Sequence, residues 1–318
     1  MVVSHLNITI IVLSAIDVIL EPYFLFLVIR KSSPGMKIIR VFLLIISLSN
    51  FIFSMSFFIT SPVMYLSNSY LFIVSSTLAS VYGWFMWNFS AFCLSFQMQL
   101  SLLMLMYASY ELTNPLTDLN TKSIRLWIFV VIFLLTPPVA YIGCNFVAFV
   151  NYESYNYSPK SSGLAPIAFV CCYGSSYSVL ASVLIMKIRR ISTKSPGQIS
   201  TTTIKLVNNV VKNFLLSNGS VNVCISFPVM LAVVFSLLSM PNASTLMFGI
   251  TLNTMAAYTT ISTIASIFIF APYRAYTLTL LRRVSRMKPK QQQTVSELQI
   301  SSVRVDSRAG GVIETKHK

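Results

Sequence analysis

The sequence predicts an all-α membrane protein: a seven-transmembrane helix bundle with its N-terminus extracellular and its C-terminus cytoplasmic. Three observations carry that prediction. The 318 residues are 55% apolar and only 10% charged, with a mean hydropathy of +0.73, whereas a soluble globular chain carries about 25% charge. The charges are also clustered, leaving Val41 to Tyr110, Leu126 to Asn151, the segment between Lys160 and Lys187, and Asn213 to Tyr273 without any. Finally, 23 Lys+Arg against 8 Asp+Glu give a net charge of +15, and the surplus sits at the ends of the silent stretches. A nucleic-acid binder would gather it into patches between soluble segments, so the expected surrounding is a lipid bilayer and no nucleic acid.

A transmembrane helix takes about 20 apolar residues, which divides the chain into spans Ile8–Ile29, Ile38–Thr60, Ala79–Met106, Leu126–Val150, Ala165–Met186, Phe214–Leu238 and Met247–Ala271. Residues 1–7 form a short extracellular N-terminus, 8–288 the bundle, and 289–318 a Gln-, Ser- and Lys-rich tail expected to be disordered in the cytoplasm. The first span reads as a retained signal anchor. No Lys or Arg precedes it, and it ends in Arg30-Lys31.

Lys and Arg near span ends mark the cytoplasmic side. They form clusters at Arg30–Arg40, Lys122–Arg125, Lys187–Lys212 and from Arg274 into the tail. Placing all four clusters inside requires an even number of crossings between consecutive clusters, and the lengths of the intervening segments allow it. Lys160 is then the sole basic residue outside.

Between the second and third spans, Ser61, Pro62 and the run Ser67-Asn68-Ser69 are turn chemistry. The third span is the most polar and aromatic. Tyr82 and Trp84 read as interfacial anchors. Asn88 and Gln97 are expected to point into the bundle, where an amide either bonds across helices or lines a pocket. Phe92 lies four residues after Asn88 and shares its face. Trp87, Asn88 and Phe92, with Tyr173 and Tyr177 on the fifth span and Asn253 and Tyr258 on the seventh, are the candidate ligand contacts of an outward-opening cavity.

No zinc spacing, Walker loop, dinucleotide glycine pattern or nucleophile elbow occurs, and the two histidines, His5 and His317, lie near the chain ends. No enzyme activity, metal or cofactor is expected. The ionisable residues within the spans are Asp17 and Glu21, four apart and so on one helix face. No basic residue sits at their depth. Two readings stand side by side: a structural pair, protonated or in a wet interior and hydrogen-bonded to neighbours such as Asn50, or a contact for ligand or cation, with proton transport a third. Pro22 directly follows and is expected to kink the helix.

The sequons at Asn7, Asn156 and Asn242 fall on expected external segments and are candidate glycosylation sites. Those at Asn88 and Asn218 lie inside spans and should be silent. The cysteines at 93, 144, 171, 172 and 224 read mainly as free, small apolar residues, with a pairing of Cys144 to Cys171 or Cys172 left open.

Four short segments carry a resemblance. Ser32-Ser33-Pro34-Gly35-Met36, followed by Arg40 and Leu43-Leu44, resembles the first helical junction of nematode serpentine seven-transmembrane chemoreceptors of the str, srd and srh type. The run Ile199–Lys205 is similar to their entry to the sixth helix, Pro228 to their sixth-helix proline, and Pro272-Tyr273-Arg274 to the motif that closes many of them. Their Arg-Tyr pair at the inner end of the third helix is absent, since the chain reads Tyr107-Ala108-Ser109-Tyr110-Glu111 there. The outer cysteine of that helix is missing too.

The resemblance implies a chemosensory, olfactory-type G-protein-coupled receptor of the plasma membrane, including the ciliary membrane of sensory neurons. It would bind an external small molecule in the outer half of the bundle and signal to a heterotrimeric G protein. Arg189, Arg190 and Arg274 are the candidate docking residues, although positive-inside topology and anionic lipid account for the same charges. The alternative class is a small transporter or ligand-gated channel component. Transporters tend to carry internal repeats with broken helices in matching positions, and none is found in this sequence.

Overall fold

The computed structural model describes residues 2–67, 70–75, 80–113, 124–148, 156–157, 165–194 and 200–285. The described residues are almost wholly helical: α1 (Val2–Lys31), α2 (Lys37–Thr60), α3 (Ser80–Thr113), α4 (Ile124–Ala148), α5 (Ala165–Lys194), α6 (Thr201–Val221), α7 (Phe227–Leu237) and α8 (Pro241–Ile269). A final helix, α9, covers 271–285. A π turn, Asn222–Ser226, joins α6 to α7 without a break.

Among the described residues, six segments are long and apolar enough to cross a membrane: Ile8–Lys31, Lys37–Thr60, Phe85–Thr113, Ile124–Phe146, Thr201–Leu237 and Pro241–Ile269. They coincide with six of the seven expected spans. The helices overrun the expected spans at the basic ends, α3 to Thr113, α5 to Lys194 and α6 beginning at Thr201. The reason is physical: a span is limited by hydrocarbon, whereas a helix continues into water wherever its backbone bonds stay made. α1 runs through Pro22 as one helix.

Small strands depart from the all-α expectation. The segment expected as turn is a hairpin, β1 (Pro62–Ser67) against β2 (Tyr70–Ser75), with Pro62 opposite Ser75 and Ser67 opposite Tyr70. A two-residue strand, β3 (Asn156–Tyr157), adds to β2. Val, Tyr, Phe and Ile flanking a polar triplet is a hairpin signature, and that signature was present in the sequence. Ser61 turns the chain out of α2 with φ 39°, its N–H bonding Phe57 O at 2.8 Å, and β1 then packs against α8.

α3 is the central helix, packing on α2, α4, α5 and α6, while α1 sits between α2 and α8. α4 lies at the periphery: only 6% of its membrane-spanning window is buried. The buried apolar residues form separate clusters. One, toward the basic ends, gathers Phe24, Leu27, Leu43, Leu105, Phe214 and Phe270. Another, at the opposite end, gathers Ile10, Phe53, Phe57, Cys93, Phe248 and Leu252.

Candidate functional site

Between those clusters the helices turn polar. On α1, Asp17 and Glu21 lie between Ile10 and Phe24; on α2, Ser47, Asn50 and Ser54 lie between Leu43 and Phe57; on α8, Thr259, Thr260 and Thr263 lie between Ala256 and Ile267. Helical spacing brings residues four apart onto one face, so each helix presents a repeated pair and the pairs meet as two rungs.

In the first rung Asp17, fully buried, accepts from Ser54 Oγ at 2.9 Å, from Thr260 Oγ1 at 2.6 Å and from Thr259. In the second, Glu21, equally buried, accepts from Asn50 Nδ2 at 3.0 Å, from Ser47 and from Thr263. Asn50 Nδ2 also reaches Thr263 Oγ1 at 3.4 Å. The expectation that Asn50 partners the carboxyls is met, and the other five donors are hydroxyls that the sequence reading did not single out. The groups acting on these carboxyls are hydroxyls, the Asn50 amide and, for Glu21, its neighbour Asp17. A hydrogen bond is worth about 0.5–1.5 kcal/mol net, and about 1.5–3 where a partner is charged, so three to each carboxyl offset part of the cost of burying it.

The polar layer continues across the bundle. Tyr258, buried on α8, shares a hydrogen bond of 3.3 Å with Ser217 of α6, and Ser262 donates to the same Ser217 oxygen at 3.3 Å. Ser266 donates to Asn213 at 2.8 Å. On α3, Gln97 is buried as expected, and Gln99 is buried as well. Gln97 donates to Ser49 at 3.3 Å and Gln99 to the Tyr173 hydroxyl at 2.9 Å.

The candidate ligand contacts are divided among several interfaces. Asn88 accepts from Asn145 of α4 at 3.0 Å, so this buried amide pair ties α3 to α4. Tyr177 donates to Met98 O at 3.2 Å and stacks on Phe214, while Tyr173 stacks on Phe169. Phe92 stacks on Phe96 within α3. Asn253 donates to Gly249 O at 2.9 Å. Two atoms of the set have no hydrogen-bond partner although buried: the Trp87 indole nitrogen, beside the apolar cluster away from the basic ends, and Asn253 Oδ1. The side chains of Tyr82 and Trp84 lie outside the described residues.

At the basic end the resembling segments converge. Tyr273, from Pro272-Tyr273-Arg274, is fully buried, with its ring edge-on to Phe24 and its hydroxyl 2.7 Å from Ser32 Oγ of the first junction. Burial pushes the Tyr273 phenol up, against the opposing effects of the Ser32 bond and the Arg40 charge. The neutral phenol is the form that can donate to Ser32. Ser200 caps α6, its Oγ accepting from the Thr202 N–H at 3.3 Å. α9 crosses back over α1, with Tyr23 and Thr277 hydroxyls 2.8 Å apart and Lys31 Nζ 4.3 Å from the Tyr276 ring centroid. A groove of about 310 Å³ opens along α9 at Ala275, Tyr276, Thr279, Leu280 and Arg283.

Of the candidate docking residues, Arg189, Arg190 and Arg274 are exposed, and Arg274 caps the end of α8 by donating to Phe268 O at 3.3 Å. Pro228 is buried immediately after the π turn. Lacking an N–H, it cannot bond Cys224 O, its α-helical partner, and Thr254 of α8 donates to that carbonyl instead.

Asn242 is exposed at the start of α8, while the side chains of Asn7 and Asn156 lie outside the described residues. Cys93, Cys144, Cys172 and Cys224 are free thiols, which removes the pairing of Cys144 that the sequence left open. The tail beyond Ser285 also lies outside the described residues. No protein-family model matches the chain, and no curated protein matches it.

Proposed function

We propose that the protein is a chemosensory G-protein-coupled receptor of seven spans, with an external N-terminus and a cytoplasmic C-terminus. α5 is the seventh span. Its 30 residues reach about 45 Å at 1.5 Å per residue, and Lys187, Arg189 and Arg190 fall near its inner end. An external small molecule enters the outer half of the bundle and shifts the balance between two helix arrangements, by no more than its differential affinity for them. The inner ends then dock a heterotrimeric G protein through a basic surface that includes Arg189, Arg190 and Arg274.

The observation that carries this reading is the pair of unanswered polar atoms in the outer half, the Trp87 indole N–H and Asn253 Oδ1. Each lacks the partner that buried polar groups ordinarily find, and an unanswered donor and an unanswered acceptor are what the polar groups of a small molecule satisfy. The π turn and Pro228 supply a place for the sixth span to bend. The resemblance at the first junction and at Pro272-Tyr273-Arg274 supports the receptor class, as does the meeting of those two segments.

The test is a small-molecule screen in cells carrying a promiscuous G-protein reporter, combined with epitope tags at each terminus. A response that Trp87→Phe and Asn253→Leu weaken, with an N-terminal tag reached from outside, supports the proposal. A cytoplasmic N-terminal tag, or ligand-evoked current in cells without functional G proteins, overturns it in favour of a channel or transporter.

A further inference from the structure

We propose that two copies of the chain associate side by side in the membrane through the outward face of α6 and its π turn, with Asn222 of each copy hydrogen-bonded to Asn222 of the other. α6 turns Val210, Phe214 and Val221 into the bundle, where all three are buried. Leu215, Gly219, Asn222 and Ser226, spaced three or four apart, share the opposite face. Leu215, Asn222 and Ser226 are exposed there. Asn222 lies about 12 Å along the helix from Phe214 and about 24 Å from Leu238, at 1.5 Å per residue. That is inside a hydrocarbon core of about 30 Å, where an outward amide meets no water.

The hydrogen bonds of Asn222 are incomplete. Among the described residues its side chain makes one, Oδ1 accepting from Ser226 Oγ at 3.5 Å. That length is at the outer limit of such a bond, and the two Nδ2 protons have no protein acceptor. Other amides within the spans behave differently. Asn50, Asn88, Gln97 and Asn145 are buried in the bundle and bonded to side chains of neighbouring helices. Acyl chains offer Asn222 neither donor nor acceptor, and polar side chains in that position hold transmembrane helices together.

The depth and the chemistry of the amide select the occupant. A foreign helix would have to bring a matching donor and acceptor to this level. A second copy does so necessarily, because every copy inserts with one orientation and carries residue 222 at one depth. A two-fold axis along the membrane normal then sets Asn222 against Asn222. A carboxamide has both donors and an acceptor, so each copy gives an N–H to the other's Oδ1. A side chain at Gly219, one turn before, would meet nothing within 4 Å. The face is therefore open, and the missing Cβ lets a second helix come close. The interface rests on the membrane setting and stands whether or not the protein is a receptor.

The test uses the purified full chain, labelled at the C-terminus in separate batches with donor and acceptor fluorophores and reconstituted together in phosphatidylcholine vesicles over a range of protein-to-lipid ratios. Energy transfer that saturates with protein density is the expected result, with association weakened about three- to tenfold in Asn222→Leu and retained in Asn222→Gln. Oxidation with copper phenanthroline should link Asn222→Cys into a disulfide-bonded dimer, and should not link the unaltered chain or Leu216→Cys, which is exposed on an adjacent face. Transfer no greater than random proximity gives overturns the proposal. So does transfer that Asn222→Leu leaves unchanged, or linking at Leu216→Cys in preference to Asn222→Cys. Should Asn222→Leu unfold at a lower temperature than the unaltered chain, the comparison of the two cysteine variants decides.

Discussion

Ser32 Oγ and the Tyr273 hydroxyl lie 2.7 Å apart although 241 residues separate them in the chain. Ser32 gives its own proton to Val28 O at 2.6 Å, so the phenol is the donor between the two side chains. This one bond joins the junction of α1 and α2 to the break between α8 and α9, where Phe270 adopts an extended conformation.

Tyr273→Phe removes the donor but keeps the ring, and should cost about 1 kcal/mol, the usual net worth of one hydrogen bond. Tyr273→Ala empties a fully buried aromatic site, and should cost about 3–5 kcal/mol. Thermal unfolding in detergent ranks the two. A double-mutant cycle with Ser32→Ala isolates the coupling; an additive cycle contradicts a direct bond.

Thr259→Val and Thr263→Val each delete one hydroxyl donor to a buried carboxyl while preserving shape. Each is expected to destabilise the bundle by about 1–3 kcal/mol. Restoring the hydroxyl as Ser should recover most of the loss, because the bond rather than the methyl group is the cause. The midpoint of thermal unfolding reads both.

Asn145→Leu removes the amide that donates to Asn88 Oδ1 across α3 and α4. The expected loss is about 0.5–1.5 kcal/mol, the net worth of one hydrogen bond, read as a shift in the midpoint of thermal unfolding. Asn88 is 4% exposed, so Asn88→Gln should leave the glycosidase-sensitive gel mobility unchanged. A shift would place that part of α3 outside the membrane.

At the π turn between α6 and α7, Thr254→Val leaves Cys224 O without its hydroxyl donor beside Pro228. Pro228→Ala returns an N–H to the helix. The double variant should therefore be less destabilised than the sum of the singles, by about 0.5–1.5 kcal/mol. Additivity in unfolding measurements would mean that Thr254 does not substitute for the missing backbone donor.

Hydropathy and charge placement made the bundle legible, because burying a charge in hydrocarbon is costly enough to leave a mark along the whole chain. Local spacing also placed Asp17 and Glu21 on one face, and polarity sent Asn88 and Gln97 inward. The hairpin Pro62–Ser75 was visible in principle, but its Ser-Asn-Ser centre reads as a simple turn unless the flanking Val, Tyr, Phe and Ile are weighed with it. The partners of each polar group were not legible. The helices contain many Ser and Thr residues, and nothing local separates Thr259 from its neighbours.

What the sequence determined by itself is therefore the membrane setting, the helical spans and the faces that avoid lipid, all consequences of solvent preference along a periodic chain. Only the tertiary structure decided that Asp17 and Glu21 meet Ser54, Asn50, Thr259 and Thr263 as two rungs, and that Ser32 meets Tyr273. A hydrogen bond is satisfied only at a particular distance and direction, and that is set by which helices pack together and in what register.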